Sequence, residues 1–486
     1  MASPFEGLTP TMIWKHFEEL TRIPRCSRNE AAVARHVVAW AEGQGFKPVQ
    51  DRLGNLVVRV PGTAGREGAP AVVLQGHLDM VGEKDSDSPH DFDKDPIPVL
   101  REGGYLTASG TTLGADNGIG LAAAMAVAED PDAEHGPLEL LMTVDEETGL
   151  TGAQGLEAGF VTGKTMLNLD SEEDGAVYVG CAGGVDTVIA LPVERGERQG
   201  GAALTLKVAG LKGGHSGLDI NAGRGNAIQV LGWFLDQLRA GATDFELCAL
   251  SAGDKHNALP REGQATLLLD AADRSAADAL LAAYRADLAA IYGKTDPGVT
   301  ITLTAGDLGC AAPLTRASRD ALIDLIVAMP HGVLAMSQAV EGLVETSTNL
   351  AVARLGDEVC TFEQSSRSSV MPALGRAQAA LMSVARLAGA LAESRGGYPG
   401  WQPDLDSAVL RKALAVHEEL FGRAPAVKAI HAGLECGIIG EKSGGMDMLS
   451  IGPQIENPHS PSERIKIDTV GRFYDLLKGL LAALSA

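Results

Sequence analysis

The stretch Leu74-Gln75-Gly76-His77-Leu78-Asp79-Met80 follows a short apolar run, residues 71–74, that reads as a buried strand. His77 and Asp79 stand two residues apart just past its end. In extended backbone, residues i and i+2 point the same way. Such a pair suits a metal-bound imidazole with a carboxylate beside it that fixes the ring. An isolated His-x-Asp is more often a surface or turn feature, so the pair gains meaning only if ligands emerge at other strand ends.

Working outward, residues 56–60 (Leu-Val-Val-Arg-Val) predict a strand, with 71–74 as its neighbour. Upstream, residues 9–45 predict helices, with Ile13, Phe17 and Leu20 on one face and Val33, Val37 and Trp40 on another. His16 and His36 read as ordinary helix residues. Downstream, residues 82–98 form a long polar loop, in which His90 and its acidic neighbours read as solvated. The segment Thr111-Thr-Leu-Gly114-Ala-Asp116-Asn-Gly118-Ile-Gly120 opens an apolar helix over 121–128. Asp116 either caps that helix or keeps both oxygens free to bridge two metals. The apolar strand 138–144 ends in Asp145-Glu146-Glu147, acids that repel one another unless cations lie close. The run 166–169 ends in Asp170. Open α/β sheets place ligands at such carboxyl ends.

From about Gly184 the pattern changes. Alternating segments such as 203–208 predict half-solvated antiparallel strands, and helices are expected at about 226–240, 275–291 and 372–391. This reads as an inserted α+β domain over 186–400 that splits a catalytic domain of 1–185 and 401–486. The insertion carries Gly-flanked His215, then His256-Asn257-Ala-Leu-Pro260, and Arg367, a residue type suited to bidentate grip of a carboxylate. After about residue 401 a helix over 405–421, a strand over 448–451 and a final helix over 469–484 restore the first pattern, with His459 in Asn457-Pro458-His459-Ser460.

The bulk properties narrow the function. At 486 residues the chain is long enough for two or more domains, and 45% apolar content is that of a globular protein. The formal net charge of −23 argues against nucleic acid or an anionic membrane as partner. No 18-residue apolar run and no basic or apolar leader is seen. The six cysteines lack any CxxC and are expected to be reduced thiols of a cytoplasmic enzyme.

Taken together, the strand ends supply the inventory of a two-metal hydrolytic site. Zinc sites take His nitrogen and carboxylate oxygen, and paired metals activate water and polarise a carbonyl. Asp116 is the candidate bridge, His77 and Asp170 the ligands of one metal, and Glu147 and His459 those of the other. Glu146 is left as general base.

The ordered segments Gly-His77-Leu-Asp79, Gly-Ala-Asp116-Asn-Gly, Asp-Glu146-Glu147-Thr-Gly, Asn-Leu-Asp170 and Asn-Pro-His459-Ser resemble peptidase family M20 over nearly the whole chain. The likeness is greatest to its bacterial aminoacyl-histidine dipeptidase branch. Supporting segments are Ile23-Pro-Arg25-Cys-Ser27, Gly214-His215-Ser-Gly217 and His431-Ala-Gly-Leu-Glu435-Cys-Gly. The resemblance implies an α/β fold with a mixed central sheet between helices, plus an inserted α+β lid domain. It implies two Zn2+ per chain, replaceable by Co2+ or Mn2+, and hydrolysis of unblocked dipeptides, Xaa-His among them. Asp79 would orient His77, His215 would stabilise the oxyanion, and Arg367 and Asn257 would bind substrate. A deacylase, a tripeptide aminopeptidase or an inactive binding protein on the same fold are the alternatives. A dipeptide is the expected partner, with neither nucleic acid nor membrane, and a homodimer is left open.

Overall fold

Residues 138–143 (Leu-Glu-Leu-Leu-Met-Thr) are buried at every position, and so are 72–77 (Val-Val-Leu-Gln-Gly-His). Such segments belong in the middle of a sheet covered on both faces. The computed structural model describes residues 3–241, 244–308, 310 and 312–486. Its first part runs α1 (Thr11–Thr21), α2 (Ala31–Gly43), β1 (Lys47–Gln50), β2 (Leu56–Val60), β3 (Val72–His77), β4 (Val99–Glu102) and β5 (Tyr105–Ala108). It continues with α3 (Ala115–Glu129), β6 (Leu138–Thr143), α4 (Thr151–Gly155), β7 (Thr165–Asn168) and β8 (Ala176–Cys181). The middle part runs β9 (Gly183–Pro192), β10 (Ala202–Ala209), α5 (Ala227–Ala240), β11 (Phe245–Ala252), β12 (Gly263–Leu269), α6 (Arg274–Tyr292) and β13 (Thr300–Ala305). After these come α7 (Arg316–Ala328), β14 (Gly332–Met336), β15 (Val344–Leu355), β16 (Val359–Ser368), α8 (Met371–Leu387) and β17 (Leu391–Tyr398). The chain closes with α9 (Ala408–Phe421), β18 (Ala426–Ile430), α10 (Glu435–Lys442), β19 (Asp447–Ser450), β20 (Ile455–Glu456), β21 (Arg464–Lys466) and α11 (Ile467–Ser485).

The chain divides into two units. One comprises Met1–Cys181, Trp401–Ala429 and Leu434–Ala486, and the other Ala182–Gly400 with Ile430–Gly433. The first holds a mixed eight-stranded sheet in the order β1-β2-β6-β3-β7-β19-β8-β18. β3 runs parallel to both β6 and β7, so all three release their chains at the same edge. α1, α3, α9 and α11 contribute apolar faces to its core, with Phe17, Leu74, Ile119, Leu140 and Leu477 all essentially inaccessible. α3 is nearly all small and apolar (Ala115, Ala122–Ala124, Ala126) and is buried all round.

The second unit is an antiparallel sheet in the order β13-β10-β12-β11-β15-β16-β9-β17, with β14 beside β15. β10 alternates exposed and buried positions as a half-solvated strand must. α5 opens on Asn226, whose side chain accepts the amides of Ile228 and Gln229, and lays Leu231, Phe234 and Leu238 on the sheet.

Four sequence expectations are corrected here. β2 and β3 are not neighbours, because β6 lies between them, antiparallel to one and parallel to the other. The helix expected to reach residue 391 stops at Leu387, where Gly389 (φ +76°) turns the chain into β17. His90 is buried in an edge contact with Phe92, ring centroids 4.6 Å apart, rather than solvated. Cys248 and Cys310 form a disulfide with Cα atoms 5.5 Å apart. The partners lie 62 residues apart in sequence, and nearby the Leu314 amide donates to the Leu247 carbonyl at 2.8 Å. Cys26, Cys181, Cys360 and Cys436 are free thiols. Among the described residues no helix is long and apolar enough to cross a membrane.

Candidate metal centre and its surroundings

The parallel strands decide the site. β3 ends in His77, β6 leads into Glu146 and Glu147, and β7 leads into Asp170. α3 brings Asp116 to the same edge, and the turn between β20 and β21 brings His459 in a left-handed conformation (φ +59°). Asp116 is set between the two histidines. Its Oδ1 lies 3.0 Å from His77 Nε2 and its Oδ2 3.1 Å from His459 Nε2. Asp170 Oδ1 lies 3.4 Å from His77 Nε2, and Glu147 Oε2 lies 3.0 Å from His459 Nε2. The five residues therefore fall into two overlapping groups, His77/Asp116/Asp170 and Asp116/Glu147/His459, each with ligand atoms within 4.8 Å. Glu146 joins His77 and Glu147 in a third.

Residues distant in sequence hold this arrangement. An Asp at a helix start commonly caps it, yet the amides of Leu113, Gly114 and Ala115 donate instead to Glu463 at 2.7, 2.9 and 2.7 Å. Asp116 is thus released to face the histidines. Arg25, fully buried, donates to the carbonyls of Leu78 and Asp79 at 3.0 and 2.8 Å and to that of Gly114 at 2.5 Å. Gly76 is required by close approach: a Cβ there would collide with Asn117 Oδ1, the residue next to Asp116. Asn117 in turn donates to the Leu169 carbonyl at 2.8 Å, tying the start of α3 to the chain that delivers Asp170.

Asp79 sits beneath His77. Its Oδ1 lies 3.4 Å from His77 Nδ1, its carbonyl oxygen 3.1 Å from the same atom, and its carboxylate accepts from Ser27 at 2.9 Å. The amides of Glu146 and Glu147 also donate to it, at 3.1 and 3.2 Å. With His77 Nδ1 so occupied, Nε2 is the nitrogen left to bind a ligand. Burial opposes charge on Asp79, but the hydrogen bond and attraction from His77 outweigh it and bring its carboxyl down to about 2.

The electrostatics of the pocket are those of excess negative charge. Burial, then the charges of Asp116 and Glu147, push the Asp170 carboxyl up to about 7. Burial and the neighbouring Asp170, Glu435 and Glu147 hold Glu146 well above the usual carboxylate range. Hydrogen bonds from His459 to the carboxylates of Asp116 and Glu147 raise it to about 11. His77 is raised despite its burial by Asp170, Asp116 and Asp79. Glu147 Oε1 is buried with no hydrogen-bond partner among the described residues. Two imidazole Nε2 atoms, a carboxylate aimed at both and an unmatched carboxylate oxygen fit a pair of divalent cations, which relieve this charge.

Two further acids escaped the sequence reading. Glu435, at the start of α10, is buried under the site and accepts from Gln75 at 2.5 Å and Thr143 at 2.6 Å. Burial first pushes its carboxyl up, to about 8. Glu172, two residues past Asp170, is partly buried, and burial, then Asp116 and Asp170, raise it to about 8. Glu435 stands within a segment of the family resemblance, but its role is visible only from its partners. Glu463 has no local sequence signal, because its partners lie about 350 residues earlier.

The second unit gathers the remaining candidates. His215 Nδ1 accepts the amides of Gly217 and Leu218 at 3.2 and 3.0 Å, which places the ring proton on Nε2. Burial, then the charge of Arg367, lowers His215 to about 4, so it stays neutral. Arg367 on β16 is buried, donates to Tyr398 Oη at 2.8 Å and reaches Ser216 Oγ at 3.4 Å. Its Nε has no hydrogen-bond partner among the described residues. Asn257 is exposed, and its carbonyl accepts the Ser216 amide at 2.9 Å.

Residues 73–483 match peptidase family M20/M25/M40. The chain is 40% identical over 485 residues to the cytosol non-specific dipeptidase of Escherichia coli, covering 100% of both. It superposes on the crystal structure of aminoacylhistidine dipeptidase from Vibrio alginolyticus with a TM-score of 0.90 and 42% identity, covering 99% of this chain and 98% of that one. The fold extends to aminopeptidase PepT from Bacillus cereus, at a TM-score of 0.57 and 15% identity, covering 99% and 100%. A match over most of the chain and a full-length relative at 40% identity place this hydrolase in peptidase family M20/M25/M40.

Proposed function

We propose that the chain is a two-zinc dipeptidase that hydrolyses unblocked dipeptides, Xaa-His substrates among them, with residues 186–400 acting as its lid. The observation that carries this is Asp116, whose two oxygens each face a different histidine Nε2. His77 and Asp170 would hold one metal, Glu147 and His459 the other, with Asp116 shared. When bound, the metals supply Lewis acidity, which polarises the scissile carbonyl and acidifies water. The names of the Escherichia coli and Vibrio alginolyticus relatives support dipeptides as substrates, and the former supports a cytosolic setting.

The chain's own residues supply the proton chemistry. Glu146, beside the ligand Glu147 but outside both ligand groups, takes a proton from the attacking water and returns it to the leaving amine. Burial and the neighbouring acids Asp170, Glu435 and Glu147 hold its carboxyl above the usual carboxylate range. Asp79 fixes the His77 ring through Nδ1. His215, neutral with its proton on Nε2, donates to the developing oxyanion. Arg367, whose Nε has no partner among the described residues, grips the substrate carboxylate, and Asn257 gives a neighbouring contact.

A panel of dipeptides, tripeptides and N-acyl amino acids on zinc-loaded protein tests the reading. Turnover of dipeptides with little or none of the other two classes is expected. Faster turnover of N-acyl amino acids or tripeptides would replace the dipeptidase reading with a deacylase or a tripeptide aminopeptidase.

A further inference from the structure

An unblocked dipeptide carries an α-ammonium about 2.5 Å from its scissile carbonyl carbon, by bond lengths alone. A site that fixes the carbonyl therefore fixes the ammonium, which needs an anion with free lone pairs when it leaves water. The carboxylates around the metal centre are nearly all committed. Asp79 accepts from Ser27 and two amides, and Glu463 accepts a row of amides at the start of α3. Glu435 accepts from Gln75 and Thr143 and is only 1% exposed. Glu173 is held by Lys428 at 2.6 Å and by Tyr178 at 2.8 Å.

Apart from Glu146, already assigned to proton transfer, Glu172 is the exception among the described residues. Its side chain makes no hydrogen bond or ion pair among the described residues, although it is partly buried and electrostatically close to Asp116, Asp170 and His459. Its backbone is pinned: the carbonyl accepts the Ile455 amide at 3.0 Å. That bond joins the chain just past Asp170 to β20, which leads into the His459 turn. Glu172 thus flanks the bridging carboxylate with an uncommitted, partly exposed carboxyl group.

We propose that Glu172 receives the α-ammonium of the substrate and so selects unblocked dipeptides over N-acyl amino acids, an inference that rests on the dipeptidase reading. Replacing that ammonium with a hydroxyl removes the charge and leaves the shape. The test compares Ala-Ala with lactoyl-alanine on zinc-loaded wild type, Glu172→Gln and Glu172→Asp, reading kcat and KM, or Ki where lactoyl-alanine turns over too slowly.

Glu172→Gln is expected to lose roughly 100-fold in kcat/KM on Ala-Ala, mainly through KM. Its zinc content and its kcat/KM or Ki for lactoyl-alanine should change by less than about twofold, and Glu172→Asp should recover part of the loss. Equal losses on both compounds, or no loss on Ala-Ala, would overturn the role of Glu172. A zinc-loaded wild type inactive on Ala-Ala and on other dipeptides would instead overturn the dipeptidase reading. An active wild type with an unaffected Glu172→Gln would overturn this inference alone.

Discussion

The candidate-site histidines of the two units are treated in opposite ways. In the first, carboxylates surround His77 and His459 and raise both, His459 to about 11. In the second, burial and the nearby Arg367 lower His215 and His431 to about 4. An imidazole held among carboxylates keeps a cation against it, whether a proton or a metal. An imidazole buried beside a guanidinium stays neutral through the physiological range and offers hydrogen bonds instead. One unit gathers carboxylates around its imidazoles, and the other holds neutral imidazoles beside a guanidinium.

Substitutions can separate these roles, and the largest effect is expected in the first unit. Glu146→Gln should lower turnover by about 10³ to 10⁴, with zinc content unchanged. Near-normal turnover would remove Glu146 as the base. Asp79→Asn keeps the shape but removes the charge beneath His77, and should cost roughly 10- to 100-fold in zinc affinity or activity with the fold intact by circular dichroism. Wild-type values for both would show that Asp79 does not orient the ring.

In the second unit, Arg367→Ala should act on binding rather than chemistry. KM for dipeptides is expected to rise about 10- to 30-fold, the loss of a charge-assisted bond, while zinc content holds. A fall in kcat at constant KM would contradict a grip on the substrate carboxylate.

The smallest effect is on stability. His431 is 5% exposed, accepts or donates a bond to Ser347 at 2.7 Å, and faces the charges of Arg367 and His215. Its folded pKa of about 4 lies below the ordinary imidazole value of 6.5, so protons bind the unfolded chain first. Its contribution is complete above pH 6.5 and is lost as pH falls toward 4. Between pH 7 and 6 this single group should cost about 0.7 kcal/mol. Urea midpoints for wild type and His431→Asn should therefore converge as the pH falls, and parallel pH profiles would contradict the assignment.

The same contrast shows what could be read in the sequence. His77, Asp116, Glu146, Glu147 and Asp170 each stand beside an apolar run or a glycine-rich helix start, so local pattern pointed to one sheet edge. His459 entered the same inventory from Asn457-Pro458-His459-Ser460, although its turn has no long apolar run directly before it. Glu463 and Arg25 position the site through bonds to backbone amides and carbonyls far away in sequence, and no local pattern marks such partners. The strand order was misread for a similar reason. The segments 56–60 and 71–74 are close in sequence, yet the uniformly buried β6 takes the place between them. Cys248 met Cys310 across 62 residues with no spacing motif to announce it.

The central claim is that Asp116 joins two metals in one site. Zinc titration of chelator-stripped protein, read as bound metal per chain, tests it most directly for wild type and Asp116→Ala side by side. Wild type should take up about two Zn2+ per chain and regain dipeptide hydrolysis, and Asp116→Ala should lose most of both. A wild type that saturates at about one, or an Asp116→Ala that still binds about two, would contradict the account.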